Sequence, residues 1–393
     1  MKTAIKLFAT FLVSVLTVQA QTFSTLYTFT GGQDGQLPAG RLTMDTQGNL
    51  YGATTQGGVD GAGCGAEGCG TIFELSLVNG TWSKTTLYSF PGGAAGIYPN
   101  SNLVLDAQGN LYGTTQDGGN KDNCGIVFEL SQGAETVLHT FDGKDGCSPV
   151  AGPAIDAAGN LYGATFSGGL SKTCTRFKSG CGTIFELTPS AQGWSFSVLS
   201  GMDDLWFWAD GPLTLDAQGN LYGTTMYGIG KLPSYGAGVA FKLYPRNGKW
   251  YHQFLHTFSR WYQEPYGGLA FDQDGNLYGV TIKGVGDIGS SVYEIFPTAK
   301  AWECTYLKTF PPKADIPLSG VTVDSSGNLY GVTAQELFKL TRNGNSWDFS
   351  TLYSFPTGTP PNGNVILDAS GNIYGVTEGD GVTTFGAVYE IQQ

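Results

Sequence analysis

Charge is scarce in this chain, and basic charge scarcest: 13% of residues are charged, and 32 acids against 20 bases leave a net charge of −12. A surface of that sign repels phosphate, which excludes nucleic acid and argues against anionic membrane surfaces as partners. Histidine is rarer still, at three residues. The chain contains no Cys-x-x-Cys pair, no His-Glu-x-x-His motif, no Gly-x-Ser-x-Gly elbow and no phosphate-binding glycine loop ahead of a helix. The metal, esterase and nucleotide chemistries served by those motifs have no anchor, and neither a metal nor a cofactor is expected. Helical periodicity is absent throughout. Past residue 20, no apolar run approaches the ~20 residues that a membrane-spanning helix needs.

The first twenty residues are different. Lys2 and Lys6 precede an apolar run that ends at Val18-Gln19-Ala20, a small-x-small pattern. This reads as a secretory signal peptide over residues 1–20, cleaved after Ala20, with the mature chain secreted, extracellular or periplasmic. In such a compartment the seven cysteines suggest disulfides. Cys64 and Cys69 share one Gly-rich loop, Cys174 and Cys181 share the matching loop two repeats on, and Cys124 with Cys147 is the next plausible pair. Cys304 is left over and reads as a buried thiol.

What the chain has in abundance is glycine, 60 residues, and aromatic side chains at 13%. Both serve a sentence said seven times: Asp-x-x-Gly-Asn-aliphatic-Tyr-Gly-x-Thr, opening at Asp45, Asp106, Asp156, Asp216, Asp272, Asp324 and Asp368. An Asp opening a type I turn, with a Gly free to take positive φ, makes a short hairpin. Each repeat then gives a third strand of the Thr-Ile-Phe-Glu-Leu kind (Thr71 to Leu75) and a fourth of the Thr-Leu-Tyr-Ser-Phe kind (Thr86 to Phe90). Four short antiparallel strands per repeat predict an all-β, seven-bladed β-propeller occupying residues 21–393 as one domain. The segment Thr22 to Phe29 is a fourth-type strand with no repeat ahead of it, while the seventh repeat makes only three strands. The N-terminal strand is therefore expected to join the C-terminal blade and close the ring.

This repeat, with its following Gly-x-[Ile/Val]-[Phe/Tyr]-Glu-Leu strand, resembles the GloVer-type tandem repeat over essentially all of Gln21 to Gln393. The resemblance implies an exported bacterial protein; it carries no established catalytic residues. The absence of a tail beyond the last repeat implies release or noncovalent retention in place of a surface anchor.

A catalytic residue is needed once, so residues present at one register in every repeat are read as structural. That covers the seven turn Asp, the seven Tyr and the seven Thr, and also the Glu74, Glu129, Glu186, Glu294 and Glu390 register, where Lys242 and Lys339 also occur; this register reads as a solvated or interblade position. The three histidines fall on outer strands without a third ligand. Function is sought where the pattern is interrupted, in the loops that leave one face of the ring near blades three to five. Trp206, Phe207, Trp208, Trp261, Tyr262, Tyr266 and Tyr235 lie there, flanked by Asp203, Asp204, Asp210 and Glu264. Flat rings beside carboxylates suit a sugar-binding platform, since rings stack on pyranose faces while acids bond the hydroxyls. The other reading folds these aromatics down as a lid over the blades. Two expectations follow. The first is a monomeric binding or scaffold protein that recognises extracellular glycan or a protein partner. The alternative is a carbohydrate-active enzyme, a glycoside hydrolase or polysaccharide lyase, that uses those acids.

Overall fold

A computed structural model describes residues 21–393 apart from 100–101, 150, 172–173, 175–177, 204–205, 229–235, 259–263, 283–288 and 312–315, and apart from the side chains of 207, 236 and 237. The expected signal peptide lies outside the described residues. Seven antiparallel sheets follow one another around a ring, each with its innermost strand first. Blade one shows the plan, running Gln36–Met44, Leu50–Gln56, Thr71–Val78 and Thr81–Ser89 from inside to outside. The third blade's outer strand, the weakest match in sequence, is complete at Gly193–Gly201.

The turn builds each blade by a local network. Asp216 accepts the backbone N–H of Gln218 and of Asn220, the Asn220 side-chain amide and the Tyr222 hydroxyl, at 2.9, 2.9, 2.7 and 3.0 Å. The same four partners recur at Asp45, down to the Tyr51 hydroxyl at 3.1 Å. Gly219 sits at φ 77°, the left-handed region that lets the hairpin reverse. The glycine after each Tyr has another reason. A Cβ on Gly113 would stand 2.6 Å from the Phe128 ring and 2.8 Å from Leu103, so the third-strand aromatic lies directly over the bare backbone.

The Glu/Lys register is neither fully solvated nor interblade. Each of these residues is the cross-strand partner of the repeated Tyr in its own blade, as in Tyr278↔Glu294 and Tyr222↔Lys242. Tyr278 donates to Glu294 at 3.0 Å and Tyr374 to Glu390 at 2.9 Å. The Lys242 and Lys339 ammonium groups lie 5.2 and 5.1 Å from the ring centres of Tyr222 and Tyr330. One tyrosine offers a hydroxyl to an acid and a π-face to a cation, which is why either charge is accepted.

The core is a ring of seven clusters, each shared by two adjacent blades. The cluster between blades seven and one contains Phe29, because Thr22–Thr28 pairs antiparallel with Ala387–Gln392, the third strand of the last blade. The ring is thus closed as the sequence predicts. In two blades the third-strand Phe is replaced by Tyr293 and Tyr389, whose buried hydroxyls have no hydrogen-bond partner. Burying an unpaired hydroxyl costs about 1–3 kcal/mol. Tyr389→Phe is therefore expected to leave stability unchanged or raise it by about 1 kcal/mol in denaturant unfolding, and a clear loss would count against this packing.

Candidate functional site

All three expected disulfides form: Cys64–Cys69, Cys124–Cys147 and Cys174–Cys181. They staple the loops of blades one to three on the face opposite the Asp turns. Cys304 is free and half-buried, with its thiol pushed up to about 12 by burial and then by the Glu294 charge. That places it far from a nucleophile.

The aromatics at the blade-four entrance divide. Trp206 is in the core at 1% exposure, edge-on to Phe241 at 4.8 Å, and does not present its ring to a ligand. Trp208 is half-buried, stacked on Phe166 at 5.0 Å and edge-on to Tyr227 at 5.5 Å. Its backbone is at φ 61°, unusual for a bulky residue. Leu37, Tyr98 and Ser148 take the same conformation in blades one to three, at φ 55°, 58° and 54°. Each sends its N–H to a carbonyl of the preceding blade, Trp208 to Cys181 at 3.2 Å. The strained turn is therefore a device of the repeat and no sign of a site. At this entrance the lid arrangement holds for Trp206. Asp204, Trp261, Tyr262, Tyr235 and the Phe207 side chain lie outside the described residues, and Asp203 sits half-buried at the start of the lid.

The pattern does break at three acids. Asp210 stands six residues ahead of its turn Asp, where the other repeats carry Ala39, Asn100, Val150, Tyr266, Leu318 and Asn362 in sequence. Glu264 stands at the register of Leu37, Tyr98, Ser148 and Trp208. Glu378, which the sequence reading passed over, is the single acid at the register following the repeated Thr, a signal visible once the repeats are aligned. The backbone fixes all three: Gly267 N–H donates to the Asp210 carbonyl at 3.1 Å, Ile282 N–H to the Glu264 carbonyl at 2.9 Å, and Glu378 N–H to the Pro360 carbonyl at 2.8 Å.

Glu264 is 3% exposed and accepts the Tyr227 hydroxyl at 3.0 Å. Asp210 Oδ2 is buried with no hydrogen-bond partner. Burial, and then the charge of Glu264, push the Asp210 carboxyl up to about 7. Burial followed by the charges of Asp210 and Glu378 raises the Tyr266 hydroxyl, and burial raises Glu378. The arrangement therefore brings together Asp210, Glu264, Tyr227 and Tyr266, with the Glu378 charge reaching Tyr266 from blade seven and one carboxyl that gains or loses its proton near neutrality. Among the described residues no group of three or more His, Cys, Asp or Glu could hold a metal ion. The histidines are tied up elsewhere, His139 with Asp145 at 2.8 Å and stacked on Phe196, His252 beside Trp206.

The family model of the Gloeobacter/Verrucomicrobia repeat matches residues 12–177 and 125–337, well over half of the chain. No curated protein matches by sequence. Among solved structures, the extracellular domain of BT4673 from B. thetaiotaomicron is similar at 12% identity and TM-score 0.60, over 94% of this chain and 39% of that one. The chain thus spans about two fifths of the length of that extracellular domain. YCF48 from Cyanidioschyzon merolae is similar at 10% identity and TM-score 0.56, over 95% and 99% of the two chains. PorZ, a surface component of the type-IX secretion system of Porphyromonas gingivalis, is similar at 13% identity and TM-score 0.53, over 89% and 46%. At such identities the likeness is one of fold.

Proposed function

The chain belongs to the Gloeobacter/Verrucomicrobia repeat family, and from that premise we propose that it is an exported binding propeller whose contact site is the carboxyl-lined recess over blades four and five. The observation that carries this reading is Asp210 Oδ2, buried beside Glu264 with no partner of its own. Selection tolerates an unpaired buried carboxyl where a ligand completes it, and sites of binding are where such costs collect. A sugar hydroxyl both donates and accepts, so it can serve a carboxyl in either protonation state. Tyr227, Tyr266 and Trp208 supply the flat walls that a pyranose face packs against. Extracellular glycan is the ligand class this chemistry fits, with Trp261, Tyr262, Tyr235 and Phe207 as further candidates on the same loops. The protein acts as a secreted monomer after cleavage at Ala20, which N-terminal sequencing of exported material checks.

A glycan array followed by titration tests the reading. Asp210→Asn and Glu264→Gln are each expected to weaken binding about tenfold or more. The sign of the pH effect is fixed by the raised carboxyl. The native state holds the Asp210 proton up to about pH 7 while the unfolded chain releases it near 4. Stability is then lost as pH rises between these values. Asp210→Asn should be more stable than wild type at pH 8 and equal to it near pH 4. A glycan-silent array, or full affinity in both variants, would remove the recess as a glycan site; retention of a protein partner would reassign it.

The second reading rests on the same carboxyl. An acid poised near neutrality next to an ionisable Glu264 is what glycoside hydrolysis or polysaccharide lysis asks of a proton donor. It predicts turnover of a bound polysaccharide, abolished in the folded Asp210→Asn variant. Binding without turnover decides for the binding module.

A further inference from the structure

A second break in the repeat lies in the central channel. Four residues before each turn Asp, the innermost strands carry Arg41, Asn102, Gly152, Pro212, Gly268, Gly320 and Asn364. Four blades present no polar side chain at this level. The three that do are blades seven, one and two, which are neighbours in the ring, so one sector of the channel wall is rich in donors and the rest is bare. On the bare side the backbones close up: a Cβ at Gly152 would run into the Asn102 carbonyl, and one at Gly320 would meet the Gly267 carbonyl at 2.6 Å. Arg41, Asn102 and Asn364 line a channel of about 880 Å³ that opens toward the Asp-turn face.

Arg41 is open to water inside the channel yet surrounded by protein, and that burial lowers its guanidinium from the usual value. Among the described residues it makes no ion pair. The Asn102 carbonyl oxygen accepts the Arg41 backbone N–H at 2.5 Å, which turns the Asn102 amide toward donating. The acids that line the same channel, Asp45 and Asp106, are each engaged by their own turn, four bonds apiece. In a protein of net charge −12, an arginine sheltered without a counter-charge is a fixed positive spot awaiting one.

We propose that Arg41, with the side-chain amides of Asn102 and Asn364, forms a binding site for a small oxyanion, a carboxylate or a phosphate, in the central channel. The guanidinium supplies a planar fork to two oxygens and the flanking amides supply further donors. This site is built from blades seven, one and two, whereas Asp210 and Glu264 belong to blades four and five, and it does not depend on them.

Titration of the whole mature protein with acetate, inorganic phosphate and, as the neutral match to acetate, acetamide tests the site, read by calorimetry and by the Arg41 Nε–H resonance. Saturable binding of acetate or phosphate is expected, weaker at high salt, with acetamide silent. The oxyanion that binds identifies the chemistry. Arg41→Met should weaken it about tenfold or more; should that variant fail to fold, Asn364→Asp tests the same pocket by placing a negative charge in it. Asp210→Asn should leave anion affinity unchanged, which separates this site from the recess. No saturable binding of either anion, or unchanged affinity in the folded Arg41 or Asn364 variant, overturns the proposal.

Discussion

Removal of Gln21 to Thr30 is expected to destabilise the entire ring, with one cooperative transition moving to lower temperature or the protein aggregating on expression. The segment supplies the outermost strand of the last blade, paired from Thr22↔Gln392 to Thr28↔Ala387. Without it the Ala387–Gln392 strand becomes an open edge. It also supplies side chains to two interblade cores. Phe23 stacks on Tyr353 at 4.1 Å and packs on Tyr389, in the cluster between blades six and seven. Phe29 is 2% exposed and packs edge-on to Phe73 of blade one at 5.1 Å. Emptying the Phe29 position alone costs about 3–5 kcal/mol, a large part of a typical domain's stability. An open repeat array would respond differently, because its units couple only to neighbours and can fray singly. Calorimetry distinguishes the two: loss confined to one blade, with the remaining protection from hydrogen exchange intact, would contradict closure as the source of stability.

Asp216→Ala is expected to cost about 2–4 kcal/mol, more than Asp156→Ala, although both residues head the same turn. Each loses charge-assisted bonds from two backbone N–H groups, an Asn amide and a Tyr hydroxyl. In blade three the Tyr162 hydroxyl still has Glu186 as an acceptor at 3.0 Å. In blade four the matching position is Lys242, which cannot accept, so Tyr222 is left buried at 3% exposure without a partner. Tyr222→Phe should therefore recover part of the loss in the Asp216→Ala background and little in wild type, a coupling that a double-mutant cycle measures. The pH dependence has a definite sign. Burial opposes ionisation of Asp216, but the Asn220 side chain, the Asn220 and Gln218 amides and Tyr222 outweigh it and hold the carboxyl below its ordinary value; Asp45, Asp106, Asp156 and Asp324 behave alike. A lowered carboxyl contributes stability that is present above the unfolded value, near 4, and lost as pH falls through the folded one. Acid unfolding should begin below about pH 4, and the acid limb should be shallower in Asp216→Ala. An unchanged acid limb in that variant would mean that the turns do not govern acid stability.

The two acids and the arginine at the centre of the proposals differ in how far they could be read beforehand. Asp210, Glu264 and Tyr266 were visible as residues of interrupted loops, because a repeat makes its exceptions conspicuous. Trp206 was equally conspicuous and is core, since an aromatic in a loop carries no mark of which way its ring turns. Glu378 and Arg41 break registers as plainly as Asp210 does, but they sit inside otherwise regular segments where attention goes to the repeat itself.

The sequence by itself determined the fold, the blade count, the closing strand and the disulfide pairs. Each is specified by local turn chemistry repeated seven times, by a segment whose partner is missing nearby, or by cysteines placed in the loops of the first three repeats. Tertiary structure alone decided which exceptions meet. Asp210 of blade four lies near Glu264 at the entrance to blade five, Arg41 faces a sector shared with Asn102 and Asn364, and Trp206 is swallowed by the core between blades three and four. Those outcomes depend on distances between residues tens to hundreds of positions apart, set by ring closure, and no periodicity along the chain encodes them.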